Sequence, residues 1–113
     1  MPQRDDLDLI RGTLDFLILR TLSWGPMHGL GVMHWIEQAS RQELQVEEGA
    51  LYPSLHRMEQ RGWLSAEWGY TERGRKAKFY ELTALGRRQL SHQTSRWTRY
   101  TQAVAYVLAA EGR

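Results

Sequence analysis

At 113 residues, 42% hydrophobic and 25% charged, the chain has room for one compact domain and the composition of an ordinary globular protein, which excludes a two-domain enzyme with a cleft between its halves and a disordered tail. It contains no apolar run near the ~20 residues that cross a bilayer, and Asp5, Asp6 and Asp8 stand where a signal peptide needs a positive end, so the expectation is a cytoplasmic protein with no membrane partner. The absence of cysteine removes disulfides, thiolate zinc sites and cysteine nucleophiles together, and the net charge of +2 is too small by itself to name a partner.

The first helix is expected from Thr13, with the Thr13 hydroxyl as its cap and Asp15 near the positive end of the helix dipole. Leu14, Leu17, Ile18 and Leu22 form one stripe, and Phe16 and Leu19 add a second apolar side. This helix is therefore buried on two faces and needs a second packing partner. Trp24-Gly25-Pro26 ends it. A second helix reads from His28 to Ala39, with Val32, Met33 and Ile36 on one side. Gly29 and Gly31 each weaken it by roughly 1 kcal/mol relative to alanine, which points to a neighbour in close contact. Leu44-Gln45-Val46 reads as a strand fragment. A third helix follows from Glu48 to Arg61, stopped by Gly62, with Leu51, Leu55 and Met58 inward and a bend expected at Pro53.

The periodicity then changes to two. Trp63 to Trp68 and Ala77 to Leu82 read as the strands of a β-hairpin, with Gly69 to Lys76 as a long basic tip. From Thr83 a last helix extends to about Ala110, roughly 40 Å at 1.5 Å per residue. Leu90, Trp97 and Val104 fall seven apart along it, with Tyr100 and Val107 offset by three. That stripe is too short for a self-sufficient coiled coil and needs cover, expected from a second subunit. The fold class is mainly α with a small β-hairpin (α+β). The element order is that of a winged helix-turn-helix domain over residues 1–82, followed by a dimerisation helix over residues 83–113.

In such a fold the third helix can enter the major groove while the hairpin reaches the flanking backbone or minor groove. With Leu51, Leu55 and Met58 inward, Gly49, Ala50, Pro53, His56, Arg57 and Gln60 lie outward, and Tyr52 stands on the flank. The small residues allow close approach, and the others can donate to phosphates or bases. Charge supports this placement. Residues 1–70 hold six Lys/Arg against ten Asp/Glu, a net of −4, whereas residues 71–113 hold nine against three, a net of +6. Arg73, Arg75, Lys76 and Lys78 crowd the hairpin, although the same pattern also describes a solvated face. No phosphate loop, nucleophile elbow or metal motif is present, and His28 and His34 do not share a helix face. An enzyme, a cofactor and a metal site are therefore not expected.

The segments GTLDFLILRTL (12–22), GPMHG (25–29), EGALYPSLHRME (48–59), RGWL (61–64) and RKAKFYELTALG (75–86) closely resemble PadR-type transcriptional regulators, over about residues 12–90. The single helix after residue 83 is similar to the short PadR subfamily. The resemblance implies a homodimeric repressor of double-stranded DNA with a palindromic operator. Tyr52, Pro53, His56 and Arg57 then fall in the recognition helix, and Arg73, Arg75, Lys76 and Lys78 in the wing. Two positions depart from the pattern: Glu47 stands in place of a Ser or Thr cap, and Leu30 in place of an aromatic. In some similar short members an aromatic on the last helix stacks planar ligands at the dimer interface, which makes Trp97 the candidate for a planar hydrophobic effector, with plain dimer packing as the alternative. The expected dimer contact joins Leu7, Leu9, Ile10, Phe16 and Leu19 to Leu90, Trp97, Tyr100, Val104 and Val107 of the partner. The competing function is a winged-helix protein-interaction adaptor without DNA binding.

Overall fold

The computed structural model describes residues 12–112. In chain order the elements are α1 (Thr13–Leu22), β1 (Met27–His28), α2 (Gly29–Ala39), α3 (Glu48–Gln60), β2 (Leu64–Tyr70), β3 (Lys76–Leu82) and α4 (Ala84–Ala109). The three strands form an antiparallel sheet in the order β1-β3-β2. Four helices with a small sheet are the α+β winged-helix architecture expected from the element order. Among the described residues no helix is long and apolar enough to cross a membrane.

α1 occupies the centre. Ile18, Leu19 and Leu22 are buried in a core shared with Val32 and Ile36 of α2, Leu51, Leu55 and Met58 of α3, and Leu64, Tyr80 and Leu82 of the sheet. The expectation that Leu19 faces another subunit is corrected here, because its side chain is wholly buried within its own chain. α1 touches α2, α3, α4 and β3, so its second packing partner is intramolecular. The capping expectation also changes. Gly12, at φ 85°, is the N-cap of α1, and no side chain caps this end. The left-handed turn at Gly12 places Thr13 already inside the helix, where its hydroxyl is no longer at the cap position.

At α2 the cap is His28, whose Nδ1 accepts from the Gly31 backbone N–H at 3.3 Å. Gly29 permits the close contact that the sequence suggested. A Cβ there would lie 2.6 Å from the Tyr52 ring, so the starts of α2 and α3 meet through a glycine. The anticipated strand at Leu44 to Val46 does not form, and Leu44 makes only an isolated bridge. The Val46 N–H is instead taken by the Glu37 carboxylate at 3.0 Å, while Val46 joins the core. The third strand is β1, whose two residues pair with Phe79 and Tyr80.

β2 and β3 are longer than expected. Gly69 pairs with Ala77 and Tyr70 with Lys76, leaving only residues 71–75 for the tip. Thr71 closes that tip: its N–H donates to the Arg75 carbonyl at 2.8 Å, its carbonyl accepts from Gly74 N–H at 2.8 Å, and its hydroxyl accepts from Arg75 N–H at 3.2 Å. Gly74 supplies the positive φ of 79° that the turn requires. α4 starts at a Thr83 cap that accepts from Gly86 N–H at 3.0 Å. Gly86 is the only buried residue of α4, and every described residue from Thr94 onward is exposed.

Candidate nucleic-acid interface

α3 presents two chemically distinct sides. Leu51, Leu55 and Met58 are fully buried, and this anchors the helix so that Gly49, Ala50, Tyr52, Pro53, His56, Arg57 and Gln60 are all exposed. The space beside Gly49 is open, since nothing lies within 4 Å of where its Cβ would be. Glu47 is the N-cap but makes no capping bond through its side chain. Pro53 has no N–H to continue the helical ladder and sits on the solvent side, where the Gly49 carbonyl it leaves behind is within reach of water. Partial burial raises the Tyr52 phenol above its ordinary value, and the Glu48 carboxylate raises it further. Tyr52 is therefore a neutral hydroxyl at physiological pH, able to donate to a phosphate oxygen.

The basic residues fall into two groups. Arg57 Nη2 lies 2.8 and 3.0 Å from the two carboxylate oxygens of Asp15 on α1, and 3.2 Å from Ser54 Oγ. Lys78 Nζ lies 3.0 Å from Glu59 Oε1 on α3, and this hydrogen bond holds its ammonium above the usual lysine value. Both are cations already matched by a carboxylate. Arg73, Arg75 and Lys76 make no ion pair with any described residue. They form the positive end of the wing, with Lys76 Nζ 5.3 Å from the centre of the Trp68 ring. Sequence reading placed all five basic residues in the interface but did not find Asp15 or Glu59, which lie 42 and 19 residues from their partners. It also passed over Trp68 and Tyr70, both strongly exposed on β2.

Between the start of α2 and the wing tip lies an open cleft of about 630 Å³, where Leu30, His28 and His34 face Arg73, Arg75 and Phe79. The His28 ring meets Phe79 edge-on at 5.4 Å, so its role as helix cap and packing partner is structural. Among the described residues no three His, Asp or Glu side chains gather to hold a metal ion.

On α4, Leu90 is half-buried against the chain's own core. Trp97 packs between Phe16 and Tyr100, with ring centres 6.3 and 6.0 Å away, so Phe16 is engaged within its own chain. Tyr100, Val104 and Val107 are exposed. Leu7, Leu9 and Ile10, expected in the dimer contact, lie outside the described residues.

Residues 18–92 match the profile of the transcriptional regulator PadR-like family. An uncharacterized protein of Lysinibacillus sphaericus is 30% identical over 97 residues, covering 86% of this chain and 89% of that protein. Among solved structures, a PadR-like transcriptional regulator of Bacillus cereus superposes with a TM-score of 0.77 at 26% identity, covering 89% of this chain and 96% of the other. A PadR family transcriptional regulator of Eggerthella lenta gives 0.76 at 28% identity, covering 89% and 86%. The matched segment takes in the second half of α1, the whole of α2, α3 and the hairpin, and the start of α4, so this chain belongs to the PadR-like family of transcriptional regulators.

Proposed function

We propose that the protein is a cytoplasmic, homodimeric repressor that binds a palindromic DNA operator through α3 and the wing. The observation that carries this reading is the exposed outer face of α3 beside a wing tip whose Arg73, Arg75 and Lys76 have no acidic partner among the described residues. Gly49 and Ala50 let the helix approach base edges, Tyr52 and His56 donate to the backbone, and the wing cations neutralise flanking phosphates. Arg57 and Lys78 stiffen the interface from within. Binding of the purified protein to a duplex from its own promoter, measured by fluorescence anisotropy over a range of salt, tests this. Changing Arg75 and Lys76 together to alanine flattens the slope of log affinity against log salt by up to about two. An unchanged slope removes the wing from the mechanism.

Dimerisation rests on α4. Its outer half contributes nothing to the chain's own core, yet it displays Val104, Val107 and Leu108, the last two more than 70% exposed. Apolar side chains in that number along one helix call for a partner, and a second copy presents the same surface about a two-fold axis. Release of DNA by a planar hydrophobic effector is placed at Trp97. Trp97 is a little over one-third exposed, and offset stacking with a flat ligand contributes about 0.5 to 1.5 kcal/mol per aromatic pair. Saturable quenching of tryptophan emission by flat dyes that is lost in Trp97→Ala, with the oligomer intact, is the expected result. No quenching across a varied panel leaves Trp97 as interface packing.

A further inference from the structure

The two faces of the wing hairpin differ in charge and in chemistry. Because side chains alternate along a strand, Leu64, Ala66, Trp68 and Tyr70 share one face, opposite Leu82, Tyr80, Lys78 and Lys76 of β3 in the observed register. That face carries two lysines and no carboxylate. Its opposite face carries Glu67 and Glu81, the only acids of the two strands, and no cation. The basic face is buried at its inner end, where Leu64, Tyr80 and Leu82 enter the core. Further out it turns toward α3, as the Lys78 contact with Glu59 shows. Beyond that contact Trp68 and Tyr70 are 66% and 71% exposed, and Lys76 Nζ lies over the Trp68 ring.

We propose that Trp68 and Tyr70 are a non-ionic contact surface for duplex DNA, packing against the sugar and base edges of the strand that passes between α3 and the wing tip. This deepens the DNA-binding reading and rests on it. A strand leaving α3 past Lys78 toward Lys76 crosses this face of the hairpin, and Glu67 and Glu81 disfavour a polyanion on the opposite one. A lysine beside exposed rings fits such a strand well, because the Lys76 ammonium meets a phosphate while the rings cover the apolar deoxyribose next to it. The cation above Trp68 orients both side chains before DNA arrives.

The salt dependence separates this contact from the ionic ones. With a labelled mixed-sequence duplex as the probe, Trp68→Ala weakens binding about tenfold and leaves the log–log salt slope unchanged, since an indole neutralises no phosphate. Trp68→Phe keeps most of the affinity. Lys76→Ala flattens the slope by about 0.9. Tyr70→Ala repeats the test at a second exposed position should Trp68→Ala alter the hairpin, with circular dichroism reporting the fold. Parental affinity in both alanine variants overturns the proposal while leaving DNA binding by α3 and the tip standing. Tighter binding of the matching single strand than of the duplex also overturns it. A parent protein that binds neither its promoter nor the mixed duplex overturns the DNA-binding reading as a whole.

Discussion

Arg57 of α3 and Asp15 of α1 form a two-oxygen ion pair, with one guanidinium nitrogen 2.8 and 3.0 Å from the carboxylate oxygens. Asp15 is mostly buried, whereas Arg57 is nearly half exposed. The pair ties the candidate recognition helix to the central helix of the core. Phe16, the next residue of α1, packs on Trp97 of α4, so adjacent residues of one helix touch α3 and α4.

The ion pair leads to opposite outcomes for its two members. Arg57→Ala removes a cation already neutralised by Asp15, so it lowers stability by about 1 kcal/mol, in the upper range for a partly exposed pair, and hardly changes the salt slope of DNA binding. Asp15→Asn releases the guanidinium toward the duplex and steepens the slope by up to about 0.9. Denaturant unfolding and salt-dependent anisotropy on both variants check this. A slope that flattens in Arg57→Ala shows that Arg57 leaves Asp15 and meets phosphate.

How much of this was legible in the sequence depends on the range of the interaction. The spacing of Leu51, Leu55 and Met58 sorted α3 into a buried and an exposed side correctly, because both sides are set by neighbours within one helix. The pairing of Arg57 with Asp15 spans 42 residues and leaves no local signal. Leu19 shows the same limit: periodicity establishes that two faces of α1 are buried, but not whether the second cover comes from the same chain. The hairpin tip was read too long because Gly69 and the polar residues after it suit a loop, whereas the cross-strand partners Ala77 and Lys76 draw them into the ladder. A two-residue strand such as β1 is too short to show alternation at all.

Two glycines that both lack room for a methyl group respond differently to alanine. At Gly86 a Cβ falls 2.1 Å from the Trp63 carbonyl oxygen, a backbone atom in the chain leading into β2. The start of α4 must then move off the sheet, and Gly86→Ala destabilises by about 3 kcal/mol or more. At Gly29 the clash is with the outer end of the Tyr52 ring, which is 41% exposed and able to rotate. Gly29→Ala therefore costs about 1 kcal/mol or less and displaces Tyr52. Thermal unfolding ranks the two variants, and an equal loss of stability contradicts the argument.

Alkaline pH is expected to destabilise the fold. The Tyr80 phenol is raised above its ordinary value of 10.0, first by burial, with Lys78 acting the other way and Glu59 and Tyr52 adding to the rise. Tyr52 is raised as well. A raised phenol pKa favours the neutral form in the folded state, so this contribution is complete below pH 10 and is lost as pH climbs toward the folded-state value. Lys78, raised by its hydrogen bond to Glu59, has the same sign: its ion pair persists below the ordinary lysine value of 10.5 and weakens above it. These three groups therefore make unfolding midpoints fall above about pH 10. Tyr80→Phe makes that fall shallower; an equally steep fall in this variant assigns it to other groups.

The last prediction separates folding from assembly. Val107 lies near the end of α4, is 74% exposed and makes no part of the core cluster. In an isolated subunit Val107→Asp places a carboxylate in water and changes stability by no more than about 0.5 kcal/mol. In the proposed dimer the same carboxylate is carried into an apolar contact between two copies of α4, where its desolvation is uncompensated and, near the two-fold axis, the partner's carboxylate repels it. The expected result is a folded monomer: a helical circular dichroism spectrum like the parent's, with half the parent's mass by sedimentation. DNA binding weakens along with it, because a monomer reaches one half-site of a palindrome instead of two. If Val107→Asp sediments as the parent does, the interface lies elsewhere on the chain; if the parent itself is monomeric at micromolar concentration, the exposed stripe of α4 serves another partner.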